Sequence, residues 1–459
     1  MRTLLDVTAP KVEQLGPRSD EEFVYVDISS IDTERKRIVE PKRLPSNEAP
    51  SRAKQRLKKG DVLVSMTRPN RNAVAIVPAE LDGAIGSTGF HVLRARDGVD
   101  PRWIFNAVQT KSFIASMEDL VQGALYPAVR PKDIQSYSIP VPPLDEQRIA
   151  VAEIEKQFSR LDEAVANLKR VKANLKRYKA AVLKAAVEGH LVPTEAELSK
   201  GNGRVFETGT ELLQRVLENR RRHWSGRGKY IEPLCVEALE PFAIPEGWTW
   251  ASTDQLSDFV TKGTTPAATK LFDGKGAVQF LKVYNLTFDG SLNAKHKPAF
   301  IARETHEVEL ARSKVRAGDV LINIVGPPLG QVAMVPETLA EANINQAIAR
   351  IRPIEPLDQK FIAIMLMCRE IMQWAIRRAK TTAGQSNLTL ELCRALPLPL
   401  PPLTEQHRIV TEVERRFSLI RGVEAQTDAN LKRAERMRQA ILARMFGAPV
   451  GVVAEEEAA

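Results

Sequence analysis

The sequence predicts an α+β protein built as a pseudo-twofold internal repeat. Two heads of mixed, largely antiparallel β-structure with helices are separated by two long helices that pair antiparallel as a coiled coil. Three observations carry this reading. The string Pro-Pro-Leu-x-Glu-Gln occurs at Pro142–Gln147 and again at Pro401–Gln406, at an offset of 259 that also relates Glu153 to Glu412 and Phe158 to Phe417. Upstream, Gly60-Asp61-Val62-Leu63 matches Gly318-Asp319-Val320-Leu321, and Asp100 with Trp103-Ile104 matches Asp358 with Phe361-Ile362, both at offset 258. Each Pro-Pro-Leu string opens a segment of about 40 residues with apolar side chains at heptad spacing. Agreement at several places in one order marks a duplication with one small indel.

Each unit runs from strands to helix. Segments 58–65 and 315–322 read as a Gly-Asp turn followed by a Val/Ile/Leu-rich strand, and Ala73–Val77 and Val332–Val335 as further strands. A helical stretch follows at about 101–117 and 358–378, then a Gly-containing loop at Gln122-Gly123 and at Ala383-Gly384-Gln385-Ser386-Asn387. The Pro-rich passages Ile139–Pro143 and Leu396–Pro402 forbid helix upstream, so the long helices start near Asp145 and Thr404, both good N-cap types. In the first, Ile154, Phe158, Leu161, Val165, Leu168, Leu175 and Val182 form the seam, with Val171 and Tyr178 one position out of register. In the second, Val413, Phe417, Ile420, Thr427, Leu431, Ala434, Ile441 and Met445 form a rougher one.

Composition excludes several classes. The 459 residues contain 43% hydrophobic and 27% charged residues, as soluble globular proteins do. No apolar run reaches the roughly 18 residues needed to cross a bilayer, and no secretory signal opens the chain. The three cysteines, Cys235, Cys368 and Cys393, lack metal-site spacing, so neither a metal site nor a disulfide framework is expected and the cytoplasm is the natural compartment. A net charge of +9 favours an acidic partner, nucleic acid first, although a merely soluble basic protein is as consistent with that number alone. Placement says more. Lys169, Arg170, Lys172, Lys176, Arg177, Lys179 and Lys184 lie in a stretch of the first long helix that holds no acid. A solvated helix face usually explains such runs; seven cations without one carboxylate favour contact with phosphate or an acidic protein.

Catalytic motifs are missing. Asn323-Ile324-Val325-Gly326-Pro327-Pro328 has the wrong spacing for an adenine methyltransferase, and no phosphate loop or His-Glu-x-x-His string occurs. Asp32 with Glu40-Pro41-Lys42 loosely follows a nuclease pattern, which charged chains produce by chance. His91 and His223 read as packing or surface residues. A non-catalytic chain is expected.

The doubled passages Ile139–Gln147 and Leu398–Gln406, each ending a globular unit and opening a long helix, closely resemble the specificity subunits of type I restriction–modification systems. Pro245-Glu246-Gly247-Trp248-Thr249-Trp250 with Gly263-Thr264-Thr265-Pro266 is similar to the usual opening of a target recognition domain in that family. Ser159–Val192 is similar to its central spacer helix. The first unit departs from the pattern, beginning with Leu4-Leu5-Asp6-Val7 in place of Gly-Trp-x-Trp. Its start lies upstream, or its cap is shorter.

The resemblance implies a first target recognition domain at 1–143, a central spacer helix at 144–190 and a linker with a short amphipathic helix (Thr208–Trp224) at 191–240. A second recognition domain at 241–401, a second spacer helix at 402–446 and a flexible tail at 447–459 follow. It implies double-stranded DNA, two methylation subunits and restriction subunits as partners, with S-adenosylmethionine, ATP and Mg2+ belonging to those partners and none to this chain. The helices would act as a ruler between half-sites roughly a turn of about 34 Å apart. Base edges are read by Arg, Lys, Asn, Gln, Ser or Thr on loops. The candidates in the first head are Arg68, Asn70 and Arg71, then Ser87, Thr88 and Tyr126. In the second they are Lys262, Thr264, Thr265, Asn343, Asn345, Gln346, Gln385 and Asn387. Any one of these alone is as readily a turn-forming or capping residue; each cluster favours DNA. The competing readings are a coiled-coil protein scaffold and a DNA-modifying enzyme with an unrecognised active site.

Overall fold

The computed structural model describes residues 1–17, 22–121, 123, 127–225, 228–236, 241–326, 328–382 and 385–447. The chain divides into two units, Met1–Val171 with the chain from Gln426 on, and Lys172–Ala425. Each long helix contributes to both.

The first unit grows from its Gly-Asp turn. Gly60 sits at φ +86°, a conformation that a side chain would strain. The turn aims Asp61 inward, where it accepts the Lys58 N–H at 2.8 Å and both Nε and Nη2 of Arg94 at 2.8 Å. Strand Val62–Ser65 then runs antiparallel between Val74–Ile76 and Phe90–Leu93. Its Val62 and Val64 face Leu4, Val7, Trp103 and Ile104, while Leu63 faces a second cluster with Val26, Leu57 and Phe90, the alternation a strand imposes. A four-stranded sheet in the order 42–45, 22–26, 85–87, 53–56 lies beside it, with one parallel pairing, Tyr25–Val26 with Ile85–Gly86.

The second unit repeats this plan. Gly318 has φ +83°, and Asp319 accepts the Arg316 N–H at 2.9 Å and the Arg352 Nε and Nη2 at 2.6 and 2.8 Å. Strand Val320–Asn323 lies between Val332–Met334 and Ile348–Pro353, with Ser257–Lys262 added outside the last. The adjoining sheet again has one parallel pairing, Val278–Leu281 with Ala342–Ile344.

Each expected helical stretch is two helices: Pro101–Ala107 and Lys111–Asp119, then Gln359–Met367 and Arg369–Ile376. Thr110 breaks the first by capping the Phe113 N–H, and Cys368 breaks the second by adopting extended backbone. The passage 191–240 holds the expected helix, Gly209–Arg222, and also one at Glu195–Asn202.

The long helices run Leu144–Val187 and Leu403–Phe446, each beginning one residue before the expected start. Asp145 and Thr404 therefore lie inside the first turn, and the carbonyls of Pro143 and Pro402 accept the first helical bonds, from Gln147 and Gln406. The two glutamines explain the repeated motif. Both are fully buried. Gln147 accepts the Asp100 N–H at 3.0 Å and donates to Pro142 and Gly98 carbonyls at 2.7 and 3.2 Å. Gln406 accepts the Asp358 N–H at 3.3 Å and donates to the Pro401 carbonyl at 3.0 Å. Asp100 and Asp358 in turn cap the helices that follow them. The motif is a clasp that welds the long helix to its head.

Within the first unit the helices pair antiparallel. Arg438 reaches Asp162 and stacks over Phe158 at 4.2 Å, and Phe446 packs on Trp103 with ring centroids 4.2 Å apart. Within the second unit Lys179 lies 4.9 Å over Phe417, Arg416 meets Tyr178, and Val182, Leu183, Ala186 and Val187 enter the core. Ile154 and Val182 are buried seam residues, whereas Val171 and Tyr178 are 38% and 46% exposed, as their register requires. Near the end of the second helix the buried residue is Leu442, with Ile441 only half-buried.

Candidate nucleic-acid interface

In the first head, strand Val62–Ser65 runs on into the expected reading loop. Arg68 and Asn72 both take left-handed backbone, at φ +49° and +43°, flanking a single 3-10 turn at Pro69–Arg71. For an arginine this conformation is uncommon and costs on the order of 1 kcal/mol, so the surroundings must impose it. They do. The Met66 N–H donates to Gly89 at 3.0 Å, the Arg68 N–H to Pro127 at 2.8 Å and the Val129 N–H to Met66 at 2.8 Å. Asn72 is buried, donating to the Val108 carbonyl at 2.8 Å. Loops 66–72, 87–89 and 127–129 thus form one edge, on which Arg68, Asn70 and Arg71 are exposed and Thr88 is half-buried.

Ser87 does not belong to that surface. It is buried in strand Ile85–Ser87, where its hydroxyl accepts the Gly89 N–H at 3.1 Å. Tyr126 lies outside the described residues. Beside Pro69 and Asn70 a cleft of about 390 Å³ is closed by Glu118 and Asp119, so cations line one side of the edge and carboxylates another. Lys36 reaches the back of the loop, donating from Nζ to the Asn72 carbonyl at 2.5 Å. Burial, with Arg438 close by, lowers its ammonium to about 8.

The second head builds the corresponding edge with the same bonds. The Ile324 N–H donates to Ala347 at 2.9 Å and the Leu388 N–H to Ile324 at 2.9 Å, which are the Met66–Gly89 and Val129–Met66 bonds displaced by one repeat. Bridge Thr67–Ala128 likewise corresponds to the pairing of Val325 with Asn387. Ser87-Thr88 and Asn345-Gln346 are therefore equivalent positions. Onto this edge the second head adds segment 262–265. A side chain at Gly263 would come within 2.0 Å of the Ile344 carbonyl oxygen, so only glycine lets this segment lie against 344–346. Sequence reasoning used Gly263 only as part of a motif, and its contact distance gives it a packing role. Lys262, Thr264, Thr265 and Gln346 are exposed, and the Thr265 hydroxyl donates to the Gln346 side-chain oxygen.

Asn343 is a correction. It is fully buried, its amide donating to Leu310 at 2.8 Å and Ser313 at 3.3 Å and its oxygen facing His306 Nδ1. All of its polar capacity is spent inside the head. Asn345 and Asn387 each carry a buried side-chain oxygen with no hydrogen-bond partner. Gln385 lies in the strand Gln385–Asn387 that pairs with Val325–Gly326, which puts its backbone on the edge.

The basic run is less bare than its sequence. Lys169 pairs with Glu34 at 2.9 Å, Lys179 with Asp289 at 3.7 Å, and Lys184 with Glu188 at 3.8 Å. Arg170 bonds Asn167, and Lys176 and Arg177 are exposed. The nuclease-like residues are committed elsewhere: Asp32 accepts the Glu34 and Arg35 amides of its own turn, and Lys42 pairs with Asp27 at 2.6 Å. One grouping with metal-ligand chemistry occurs among the described residues, His306, Glu307 and Glu341. Its carboxylates already pair with Lys314 and Arg303. No helix among the described residues is long and apolar enough to cross a membrane.

Comparison with known proteins places this geometry in a family. The model of the type I restriction modification DNA specificity domain matches residues 32–177 and 245–432. The EcoBI specificity subunit of Escherichia coli is 26% identical over 325 residues, 69% of this chain and 59% of that protein. The EcoDI specificity subunit of Escherichia coli is 23% identical over 326 residues, 71% of this chain and 65% of that protein. The chain thus spans less than two thirds of the length of both relatives. A solved chain described under "complex assembly and conformational transition of the type I R-M system" shares the fold at a TM-score of 0.68, with 24% identity and 96% of each chain covered. The duplicated head, the glutamine clasp and the twice-matched domain lead to one conclusion: the chain belongs to the type I restriction modification DNA specificity family.

Proposed function

We propose that this chain is the DNA sequence-specificity subunit of a type I restriction–modification complex, reading an asymmetric bipartite duplex site. The observation that carries the reading is the pair of edges held by repeat-equivalent backbone bonds yet presenting different side chains. Arg68, Asn70, Arg71 and Thr88 stand on one; Lys262, Thr264, Thr265, Gln346 and Asn387 stand on the other. A shared frame with unlike loop chemistry is what two readers of unlike half-sites need, because base edges are distinguished by the donors and acceptors set against them. Cations on the edges and on the first long helix supply sequence-independent affinity for phosphate.

The chain itself is non-catalytic in this proposal. Two methylation subunits and the restriction subunits bind it in the cytoplasm and bring S-adenosylmethionine, ATP and Mg2+. Mapping methylated adenines across the host genome tests the reading. Two short, unlike motifs at constant spacing should lose methylation when the gene is deleted. A methylation pattern unchanged by the deletion sinks the proposal.

A further inference from the structure

The second head holds a set of side chains that neither the reading edge nor the glutamine clasp uses. His306 lies in the single π-turn Thr305–Glu309, and Glu341 directly precedes the strand Ala342–Ile344 that continues into Asn345-Gln346. Ligand atoms of His306, Glu307 and Glu341 all fall within 4.8 Å of one another. Cysteine spacing offers no metal centre in this chain, and this grouping uses no cysteine.

The imidazole is held in one orientation. Its side chain is 3% exposed, and Nδ1 meets the Asn343 side-chain oxygen. That amide cannot turn over, because its nitrogen donates to the Leu310 carbonyl at 2.8 Å and the Ser313 hydroxyl at 3.3 Å. Nδ1 therefore donates, and the lone pair of the neutral ring is on Nε2. Nε2 makes no hydrogen bond among the described residues; it faces Glu307 Oε1 at 3.7 Å and Glu341 Oε1 at 4.0 Å. Both separations exceed the roughly 2.7–3.2 Å of a hydrogen bond, so a proton on Nε2 would join it to neither carboxylate. They lie closer to the about 3.4 Å between two ligands of a tetrahedral ion bound at about 2.0–2.2 Å.

The outer oxygens of both carboxylates are already anchored, Glu307 Oε2 by Lys314 and Glu341 Oε2 by Arg303. Arg303 Nη1 also comes within 3.9 Å of Glu307 Oε1. A buried imidazole fixed through its far nitrogen, with carboxylates fixed through their far oxygens, is the outer-shell support that metal ligands require. The two basic residues offset the two carboxylates, so affinity for a cation must come from the imidazole bond rather than from net charge. That favours ions with an affinity for nitrogen over Mg2+ or Ca2+. Glu307 and Glu341 are 47% and 43% exposed, which lets water complete the shell. Gly83 and Ile85 stand at the positions of the first head that correspond to Glu341 and Asn343, and neither can serve as a ligand or its support.

We infer that His306 Nε2, Glu307 Oε1 and Glu341 Oε1 bind one divalent transition-metal ion of the Zn2+ class. The ion fastens the turn 305–309 to the strand that leads into Asn345-Gln346, in the second head only.

The test is equilibrium dialysis of the untagged full chain against Zn2+, with bound metal quantified, and against Co2+, whose visible absorption reports nitrogen and oxygen ligands. The wild-type chain should bind one equivalent, and excess Mg2+ should not displace it. His306→Gln and Glu341→Gln should each weaken binding by about tenfold or more. Glu341 is exposed, so its variant keeps the test valid even where His306→Gln fails to fold. His190→Gln, at a side chain 74% exposed outside the grouping, should keep the ion. Zn2+ should raise the thermal melt of the wild-type chain and leave that of Glu341→Gln where it was. No Zn2+ bound by the wild-type chain would overturn the site. One equivalent held with unchanged affinity by Glu341→Gln, or displaced by Mg2+, would overturn it as well.

Discussion

Replacing Gln147 by alanine should unfasten the first head from its helix without unfolding either. The side chain is fully buried, and its three hydrogen bonds join the Asp100 amide, the Gly98 carbonyl and the Pro142 carbonyl to one amide group. Alanine strands one N–H and two carbonyls at once. An unsatisfied buried group costs about 1–3 kcal/mol. A water entering the vacated space recovers part of this, because such a site is polar and offers it several partners. A net loss of about 3 kcal/mol is therefore expected. With a factor of ten for every 1.4 kcal/mol, that is a rise of roughly 100-fold in local opening. The assay is hydrogen exchange, which reads local opening amide by amide. The amides of Asp100, Trp103 and Ile104 should lose about two decades of protection, since the latter two bond to the Asp100 carbonyl. Gln406→Ala should do the same at Asp358 and Ile362, whose amide bonds the Asp358 carbonyl. The exposed neighbour Glu146, changed to alanine, should leave all of these amides as they were. Protection in Gln147→Ala within about threefold of wild type would refute the clasp.

Three further outcomes follow from the geometry. Asp319→Asn leaves the Arg352 guanidinium facing a neutral amide in a buried site, so the urea midpoint of the second unit should fall by the equivalent of about 3–5 kcal/mol. No change in midpoint would show that this pair does not hold the sheet. Lys36 binds its proton less tightly folded, near 8, than unfolded, near 10.5. Between those values the unfolded state carries more protons, so the stability of the first unit should rise with pH from about 8 to 10.5 and Lys36→Met should abolish the rise. A wild-type slope indistinguishable from that of the variant would argue against it. Arg68→Ala with Arg71→Ala should weaken duplex binding and flatten its salt dependence by about two charges, read from titrations at several salt concentrations. An unaltered slope would remove these arginines from the interface.

The repeat, the two long helices and their seams were legible because they are periodic and sequential. What was hidden is tertiary. The Gly-Asp turns could be read, but not that each aspartate is neutralised by an arginine 33 residues onward. The repeated Pro-Pro-Leu-x-Glu-Gln string marks the helix starts, but does not reveal that its glutamine is a buried clasp. Asn343 and Ser87 carry the polar chemistry of base readers, and nothing local in the sequence separates them from the exposed candidates. Both lie in strands covered on both faces, where a polar side chain is kept by internal bonds. The basic run seemed unopposed because Glu34 and Asp289, which meet Lys169 and Lys179, are remote in sequence. Backbone bonds bring the loops of each cluster together, and which of their side chains are exposed depends on which side of a strand faces in.

The contact between Trp103 and Phe446 has a consequence for how the molecule is made. Trp103 is nearly inaccessible, and the ring that lies against it comes from the last residue of the second long helix. On the ribosome, 343 residues separate the two (446 less 103). At about 5–20 residues per second, the interval is roughly 17–70 s. Through that time the first head, earliest to emerge, waits with an aromatic face uncovered. Of the two heads it is made first and completed last, so a chain interrupted before Phe446 would present that face to whatever apolar surface it met.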